Sequence, residues 1–508
     1  MVEKKTLLIR ADATPEMGSG HIMRCLALAQ AWKRIGGEPL FVSAAVPDVL
    51  ADRLRNSGVA LKGISVEYGS ETDSAVTSAT ASVEHADWCV IDGYQFTSRY
   101  YQLLKSCGSR VLVMDDVCHT DRYDVDAILN QNPYASEQVY RSRGSNAQLF
   151  LGTRYVLLRE EFLNCADYRS KMAGSAAHIL VTMGGTDPWN MTAKVVTALQ
   201  SLRDMELECV IVLAGDHPQY ERIRAMASGI SFPVTVESNV SNMSDLMAWA
   251  GVAVSAAGST VWELLYTGIP SILVVMADNQ LQIADYLANR GIAINLGRHD
   301  EVAPEEIAYA LQRLLAQPAL RESMAHNGRM PVDGYGADRI AMYLSGNRIR
   351  LRKACKDDER LLWEWANDPE VRSVSFTSDP IPWEDHVRWF DLKMQDPSCI
   401  IYIAVNPEDA AVGQIRYDLE EKDAVVSISI DGQYRGKGYG RDMLELSAAR
   451  IFRERNVERI HAYIKTDNEA SNRVFAKSGY EYYRQETIRG FQANHFIKER
   501  KISNESVD

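Results

Sequence analysis

Short apolar runs alternate with stretches of helical spacing through the first two thirds of the chain. Thr6–Arg10 reads as a buried strand, followed by a loop rich in Gly, Pro and Asp and then a helix from His21 to Arg34. That helix carries Ile22, Leu26 and Ala29 beside Cys25, Leu28 and Trp32, and the pair Gly36-Gly37 ends it. Further strands are predicted at Leu40–Ser43, Trp88–Ile91, Val111–Met114 and Ala127–Leu129. After a polar stretch near Asp167–Ala177 the pattern restarts: a strand at His178–Met183, a helix at Asn190–Leu202, and strands at Val210–Leu213, Val252–Val254, Ser271–Val275 and Ala293–Asn295. Alternation of this kind predicts parallel sheets with helices on both faces, here two Rossmann-like domains with a ligand in the cleft. The Gly-rich segment Gly328–Gly346 reads as the end of this part. From Arg350 the texture changes: aromatics cluster at Trp363, Trp365, Trp383, Trp389 and Phe390, and strands at Ile400–Val405 and Ala424–Ile430 precede a Gly-rich turn and a long amphipathic helix. The fold class is α/β, a pair of Rossmann-like domains (1–170 and 171–346) followed by an α+β domain (347–500).

Composition narrows the class. The 508 residues exceed what one core usually organises. A net charge of −13, with no acidic tail, opposes nucleic acid and anionic membrane as partners. No apolar run reaches the roughly 18 residues of a membrane span. The start of the chain does not read as a signal peptide, and eight cysteines without a Cys-x-x-Cys pair indicate neither a disulfide framework nor a zinc site. A cytoplasmic, soluble, multidomain protein is expected.

The first candidate site is Gly18-Ser19-Gly20-His21, at a strand-to-helix turn. Glycines let backbone approach a ligand, and the helix N-terminus favours an anion. The macrodipole disfavours an imidazolium at the first turn, which leaves His21 ready as a base; the competing reading is a cap-like histidine that bonds its own loop. Two matching turns follow strands in the next domain: Met183-Gly184-Gly185-Thr186-Asp187, and Ser255 to Thr260 with Glu263 one helical turn on. Gly258, Ser259 and Thr260 could turn their amides to a diphosphate while Glu263 accepts from ribose hydroxyls; otherwise both are plain tight turns. Asp124-Val125-Asp126 has the form of a metal-binding Asp-x-Asp, but it enters a strand and reads as a turn. Cys118-His119 lacks ligand partners at the spacing a zinc site needs. No metal is expected.

Residues 1 to about 345 resemble the UDP-2,4-diacetamido-2,4,6-trideoxy-β-L-altropyranose hydrolases of pseudaminic acid biosynthesis, which share the two-domain GT-B architecture of MurG-like glycosyltransferases. The matching stretches, in order, are Arg10–Asp12, Gly18–Arg24, Ile91–Tyr94, Met114–Asp116, Leu129–Asn130, Leu158–Phe162, Met183–Asp187, Ser255–Glu263 and Asp278–Gln280. The resemblance implies that His21 activates water, and that Tyr94 and Asn279 line the sugar pocket. It implies that the Gly184–Thr186 turn, the Val240 backbone, Gly258–Thr260 and Glu263 hold UDP. It also places Asp12, Gly18, Gly20 and Asp92 among the substrate-binding residues. A MurG-like transferase would use the same cleft but needs an acceptor groove, often membrane-facing. No basic amphipathic segment stands out here to supply one.

The second candidate site is the strand–turn–helix from Ser427 to Gly440, with Gln433-x-x-Gly436-x-Gly438 at its turn. Successive backbone N–H groups there suit a pyrophosphate. This resembles motif A of the GNAT acyltransferases, and Asn468 to Tyr480 resembles their adjoining strand and helix. The resemblance implies acetyl-CoA as co-substrate, held by the strand residues Ile428 and Ile430, the loop Arg435, Gly436, Lys437, Gly438, Tyr439 and Gly440, and by Asn468 and Asn472. One position departs: where many GNAT enzymes place a tyrosine acid, this chain has Phe475. Trp363–Arg372 and Trp383–His386 resemble the acceptor side of nucleotide-aminosugar N-acetyltransferases. His386 is either a substrate contact or base, or a histidine on a helix surface. The expectation is a bifunctional enzyme that acetylates the 4-amine of a UDP-aminosugar and then hydrolyses the product. Its alternatives are a hydrolase with a non-catalytic acetyl-CoA-binding module, and a UDP-sugar glycosyltransferase joined to an unrelated acetyltransferase.

Overall fold

The computed structural model describes residues 5–14, 17–163, 177–184, 187–203, 205–214, 217–238, 240–329 and 331–500. By contact density the chain forms two compact units, Met1–Lys33 with Gly37–Ile340, and Arg34–Gly36 with Ala341–Asp508.

The first unit holds two parallel sheets. One contains β1 (Thr6–Ala11), β2 (Glu38–Ser43), β3 (Ala60–Gly63), β4 (Ala86–Asp92), β5 (Val111–Met114), β6 (Ala127–Asn130) and β7 (Gln148–Leu151), in the order β3-β2-β1-β4-β5-β6-β7. The other contains β8 (His178–Thr182), β9 (Glu208–Leu213), β10 (Val234–Ser238), β11 (Val252–Ala256), β12 (Ser271–Val275) and β13 (Ala293–Arg298), in the order β10-β9-β8-β11-β12-β13. Both are Rossmann-like. Strand order reverses between β1 and β4 in the first sheet and between β8 and β11 in the second, and in such sheets the ligand crevice lies beyond the carboxyl ends at that reversal. The central strands β1, β5, β6, β11 and β12 are buried almost throughout, as strands covered on both faces must be.

The helix Gly20–Arg34 buries Ile22, Cys25, Leu26, Leu28, Ala29 and Trp32, the stripe its spacing predicts. Each such aliphatic side chain contributes about 1.5–3 kcal/mol by leaving water. The expected helix 190–202 runs from Met191 to Gln200 instead. Asn190 sits before it at φ +53°, and the Asp187 carboxylate accepts from the Met191 and Thr192 amides, 2.8 Å each. The segment 328–346, expected as a Gly-rich end, contains the helix Gly336–Ser345. The polar stretch at 167–176 lies outside the described residues.

The second unit is one mixed sheet of β14 (Arg350–Lys353), β15 (Cys399–Val405), β16 (Ala411–Glu420), β17 (Asp423–Ile430), β18 (Arg459–Lys465), β19 (Glu481–Ile488) and β20 (Phe491–Glu499). Its order is β14-β15-β16-β17-β18-β20-β19. Only β17 and β18 run parallel, and they pair from Asp423 to Val425 alone. Beyond Val425 the two strands part, leaving the end of β17 open on that side.

Candidate active sites

The loop after β1 and the end of β4 meet at the first reversal point. Gly18 turns at φ +73°, and His21 follows in the first turn of the helix Gly20–Arg34. Its ring nitrogen Nδ1 lies 2.7 Å from Asp92 Oδ1, with 12% of the side chain exposed. Burial alone would raise the Asp92 carboxyl; the Arg24 guanidinium and His21 outweigh it and hold it well below the usual range. An ionised Asp92 fixes Nδ1 as the donor, so Nε2 carries the free lone pair. This corrects the sequence argument, which rested on the helix dipole: a carboxylate from another strand orients the ring.

Two further residues complete the cluster. Arg24, one turn after His21, donates Nε to Asp92 Oδ2 and Nη2 to Asp92 Oδ1, both at 2.6 Å. Its Nη1 reaches both oxygens of Asp116 at 2.8 Å. Tyr94 donates its hydroxyl to Asp116 Oδ2 at 2.8 Å and packs edge-on against His21, ring centroids 5.2 Å apart. Burial and the Asp116 carboxylate push the Tyr94 phenol far up, so it stays a donor. From the second sheet, Asn279 Nδ2 donates to the Tyr94 hydroxyl at 3.3 Å. A β-carbon on Gly20 would stand 3.5 Å from Ser259 Oγ, so the turn after β11 faces the turn after β1. Arg24 and Asp116 were inside matched sequence stretches but not singled out. The i, i+3 spacing of Arg24 from His21 was the available signal.

Asp12 does not join them. It is 1% exposed, and its Oδ1 takes the Ser43 hydroxyl and the Ala44 and Ala45 amides while Arg10 pairs with it at 2.6 Å. Gln95 donates to Oδ2. The expected substrate contact is therefore a brace for the loop after β2.

At the second reversal point Gly184 turns at φ +84°; Gly185 and Thr186 lie outside the described residues. Gly258 and Ser259 lead from β11 into the helix Thr260–Thr267. Glu263 is engaged by Arg159, Nη2 to Oε1 at 2.8 Å, while Arg159 Nη1 also pairs with Glu161. Burial raises the Glu263 carboxyl despite Arg159. One oxygen is thus taken, and a ribose would share the other. The Val240 carbonyl accepts from Arg53 Nη1 at 3.4 Å. Asp126 ties Lys105 and the Val111 amide, the turn expected for the Asp-x-Asp string. His119 bonds Asp115 and the Phe96 carbonyl. Among the described residues no group of three or more His, Cys, Asp or Glu side chains could hold a metal. No helix among them is long and apolar enough to cross a membrane.

In the second unit the turn after β17 carries Gly436 at φ +74° and Gly438 at φ +88°, left-handed conformations that suit glycine. Tyr439 and Gly440 begin the helix Tyr439–Glu454, and a β-carbon on Gly440 would come within 2.9 Å of Ile430 Cδ1. Asp431 donates its amide to the Val412 carbonyl. Alternation along the β16–β17 register therefore turns the backbone groups of Ile428 and Ile430 to the open side. The Ile430 carbonyl already accepts from Arg435 Nε at 3.1 Å. The Arg435 guanidinium is held by Asp368 and Glu370, which leaves its backbone and that of Lys437 facing the turn.

Two expectations change here, at Asn472 and His386. Asn472 Nδ2 holds the Lys465 and Asn468 carbonyls and its Oδ1 takes Asn494 Nδ2, so it shapes the chain and has no donor left for a cofactor. Asn468 caps its helix by accepting from the Ser471 amide. His386 is 2% exposed, donates Nε2 to the Glu359 carbonyl at 2.9 Å and packs among Trp383, Trp389 and Phe390. It is not a surface residue: Nε2 gives its hydrogen to a backbone oxygen and the ring lies inside an aromatic cage.

Comparisons agree with this division. Residues 178–333 match the glycosyltransferase family 28 C-terminal domain, and residues 348–481 match the acetyltransferase (GNAT) domain. An uncharacterized protein of Methanocaldococcus jannaschii is 22% identical over 488 residues, 93% of this chain and 96% of that one. The spore coat polysaccharide biosynthesis protein SpsG of Bacillus subtilis is 28% identical over 39% of this chain; the chain spans 58% of its length. The UDP-2,4-diacetamido-2,4,6-trideoxy-beta-L-altropyranose hydrolase of Campylobacter jejuni is 23% identical over 57% of this chain and 98% of its own. Among solved structures, MurG of Acinetobacter baumannii aligns with 68% of this chain and 99% of its own, at TM-score 0.49 and 15% identity. A spermidine N-acetyltransferase of Vibrio cholerae, in complex with CoA and spermine, aligns with 30% of this chain and 95% of its own, at TM-score 0.28 and 14% identity. The chain is an enzyme in which a domain of the glycosyltransferase family 28 C-terminal type is fused to a C-terminal GNAT acetyltransferase domain.

Proposed function

We propose that the chain performs two consecutive steps on a UDP-linked aminosugar of pseudaminic acid biosynthesis, with 1–170 and 171–346 as the two halves of a hydrolase and 347–500 as the acetyltransferase. In the first step the 4-amine attacks the thioester carbonyl of acetyl-CoA. The C–N bond forms, the C–S bond breaks, and the proton released by the amine ends on the departing thiolate, so that coenzyme A leaves as the thiol. In the second, water attacks the anomeric carbon opposite UDP, the C–O bond to the diphosphate breaks, and His21 accepts the proton of the water. UDP is a good leaving group, so stabilising its charge at the turns Gly184–Thr186 and Gly258–Thr260 matters more than a strong acid, and no metal is invoked. The sugar would lie between Tyr94 and Asn279.

The observation that carries this reading is the His21–Asp92 pair, a base with its orienting carboxylate, beside a tyrosine bridged to the second sheet. The similarity to the Campylobacter hydrolase supports the substrate class. A fused first enzyme keeps its product at high local concentration for the second. One observation favours a second reading, in which the GNAT domain only binds acetyl-CoA: Phe475, where an acid is common, is 4% exposed and packs on Tyr480.

The test is to incubate the protein with the UDP-4-aminosugar and acetyl-CoA and follow masses over time. An acetylated UDP-sugar that then yields UDP and free diacetamido sugar is expected. Hydrolysis of only pre-acetylated substrate favours the binding module, and no UDP release without an added sugar acceptor favours a glycosyltransferase.

A further inference from the structure

Lys465, the last residue of β18, is 6% exposed. Its ammonium donates to the Ser373 carbonyl at 3.3 Å and stands 3.9 Å from the centroid of the Phe491 ring. Among the described residues no carboxylate lies within ion-pair distance of it. The neighbouring Arg372 is alike: its Nη atoms reach only the Thr377 and Asp379 carbonyls and Ser375 Oγ, and its Nε is buried without a partner. Other cations of this unit, such as Arg352, Lys356, Lys393, Arg416 and Arg435, each pair with a carboxylate. In a chain of net charge −13, Lys465 and Arg372 are held by carbonyl and hydroxyl oxygens in place of a carboxylate. Burying a cation without an anion is costly, and the cost is recovered when a charged ligand supplies one.

Their place in the fold says which ligand. Lys465 ends the strand that parts from β17 beyond Val425, so it stands at the split where the open edge of β17 faces. It alternates with Ile464, which belongs to the core cluster of the long helix Tyr439–Glu454. Lys465 therefore faces the opposite layer, that of the helix Pro369–Val374. The Phe491 ring, 41% exposed, adjoins it, and Phe376 lies beside Phe491, ring centroids 6.5 Å apart. An exposed ring beside unneutralised cations suits a ligand that joins a flat base to negative charge.

We propose that Lys465 and Arg372, with Phe491 and Phe376, form the part of the acetyl-acceptor site that reads a nucleoside diphosphate, so that the acceptor amine is recognised through its nucleotide. This deepens the acetyltransfer reading above and rests on it. The experiment measures coenzyme A release by the full chain with the UDP-4-aminosugar, and with the same aminosugar lacking UDP. Lys465→Met is expected to raise KM for the UDP-linked amine about 10–100-fold, as loss of a charge-assisted contact does, with kcat and the KM for acetyl-CoA within about threefold. Lys465→Arg should recover most of the loss, and Phe491→Ala should also raise KM for the UDP-linked amine. The UDP-free amine should respond to none of these changes. Turnover of the UDP-free amine and the KM for acetyl-CoA, both functions of the unit that carries these residues, serve as the folding control. Turnover by wild type with an unchanged KM in Lys465→Met overturns the inference alone. Equal loss for both acceptors overturns it too, by showing a structural role. No turnover of the UDP-linked amine by wild type overturns the acetylation reading and the inference with it.

Discussion

His21 and Asp92 share one short hydrogen bond but carry separable functions. His21→Ala should abolish UDP release while UDP affinity stays nearly intact, since the nucleotide is assigned to the second sheet. Asp92→Asn keeps the shape but can present the wrong tautomer of the ring, and kcat should fall about 10²–10⁴-fold; single-turnover kinetics with parallel calorimetry separates the two effects. Glu263→Ala should weaken UDP by about 1–3 kcal/mol. It should also lower stability, because the buried Arg159 loses one of its two carboxylates and keeps Glu161. If Glu263 holds only Arg159, then Arg159→Met with Glu263→Leu restores both stability and affinity; a ribose contact predicts recovery of stability alone. His386 gives the pH dependence. Burial lowers its folded-state pKa below 6.5, the backbone bond to Glu359 only partly opposing. As pH falls through 6.5 the unfolded chain takes a proton that the folded one refuses, so stability drops on the acid side. His386→Phe should reduce the stability difference between pH 7 and pH 5 in urea unfolding. His495, lowered by burial in the same direction, should leave part of it.

At the scale of elements, the turn from β17 into its helix decides acetyl-CoA binding. Gly438 sits at φ +88°, and a β-carbon there would come within 2.8 Å of Arg348 Nη2. The arginine tip can move, so the larger penalty for Gly438→Val is the left-handed backbone, which a β-branched residue resists. Acetyl transfer and acetyl-CoA binding should both be lost. Phe475→Tyr places a hydroxyl in a 4%-exposed site against Tyr480, where Tyr480 Oη already lacks a partner. If the new hydroxyl reaches the thiolate the rate rises; if the site is purely core, the unfolding midpoint drops with no gain in coenzyme A release.

For the whole molecule, the two compact units should fail independently. Gly438→Val should leave hydrolysis of a pre-acetylated UDP-sugar at the wild-type rate, measured as UDP release, because the His21 cluster and the turns at Gly184 and Gly258 belong to the other unit. Chelation is a second global test. EDTA should not slow UDP release, since the Arg24 guanidinium already engages both Asp92 and Asp116. Loss of activity that magnesium restores would end the metal-free mechanism.

Apolar runs by themselves determined the central strands of the two parallel sheets, because strands covered on both faces need continuous hydrophobic sequence. They missed β3, β7, β10, β14 and β19 at sheet edges, and β16 and β20 inside the third sheet, where burial is mixed along the strand. The glycine turns at Gly18, Gly184 and Gly438 were legible, since a positive φ leaves few other residue types. Partnerships were not. Asp12, Asp92 and Asp116 are three aspartates at or just past the carboxyl ends of strands, and nothing local separates the one that braces a loop from the two that hold Arg24. His386 looked the same on its helix until Trp383, Trp389 and Phe390 closed around it. Local sequence sets backbone conformation through sterics and burial pattern. Which charges meet depends on elements far apart in sequence, 92 residues for Arg24 and Asp116 and 104 for Arg159 and Glu263, and only the folded chain decides that.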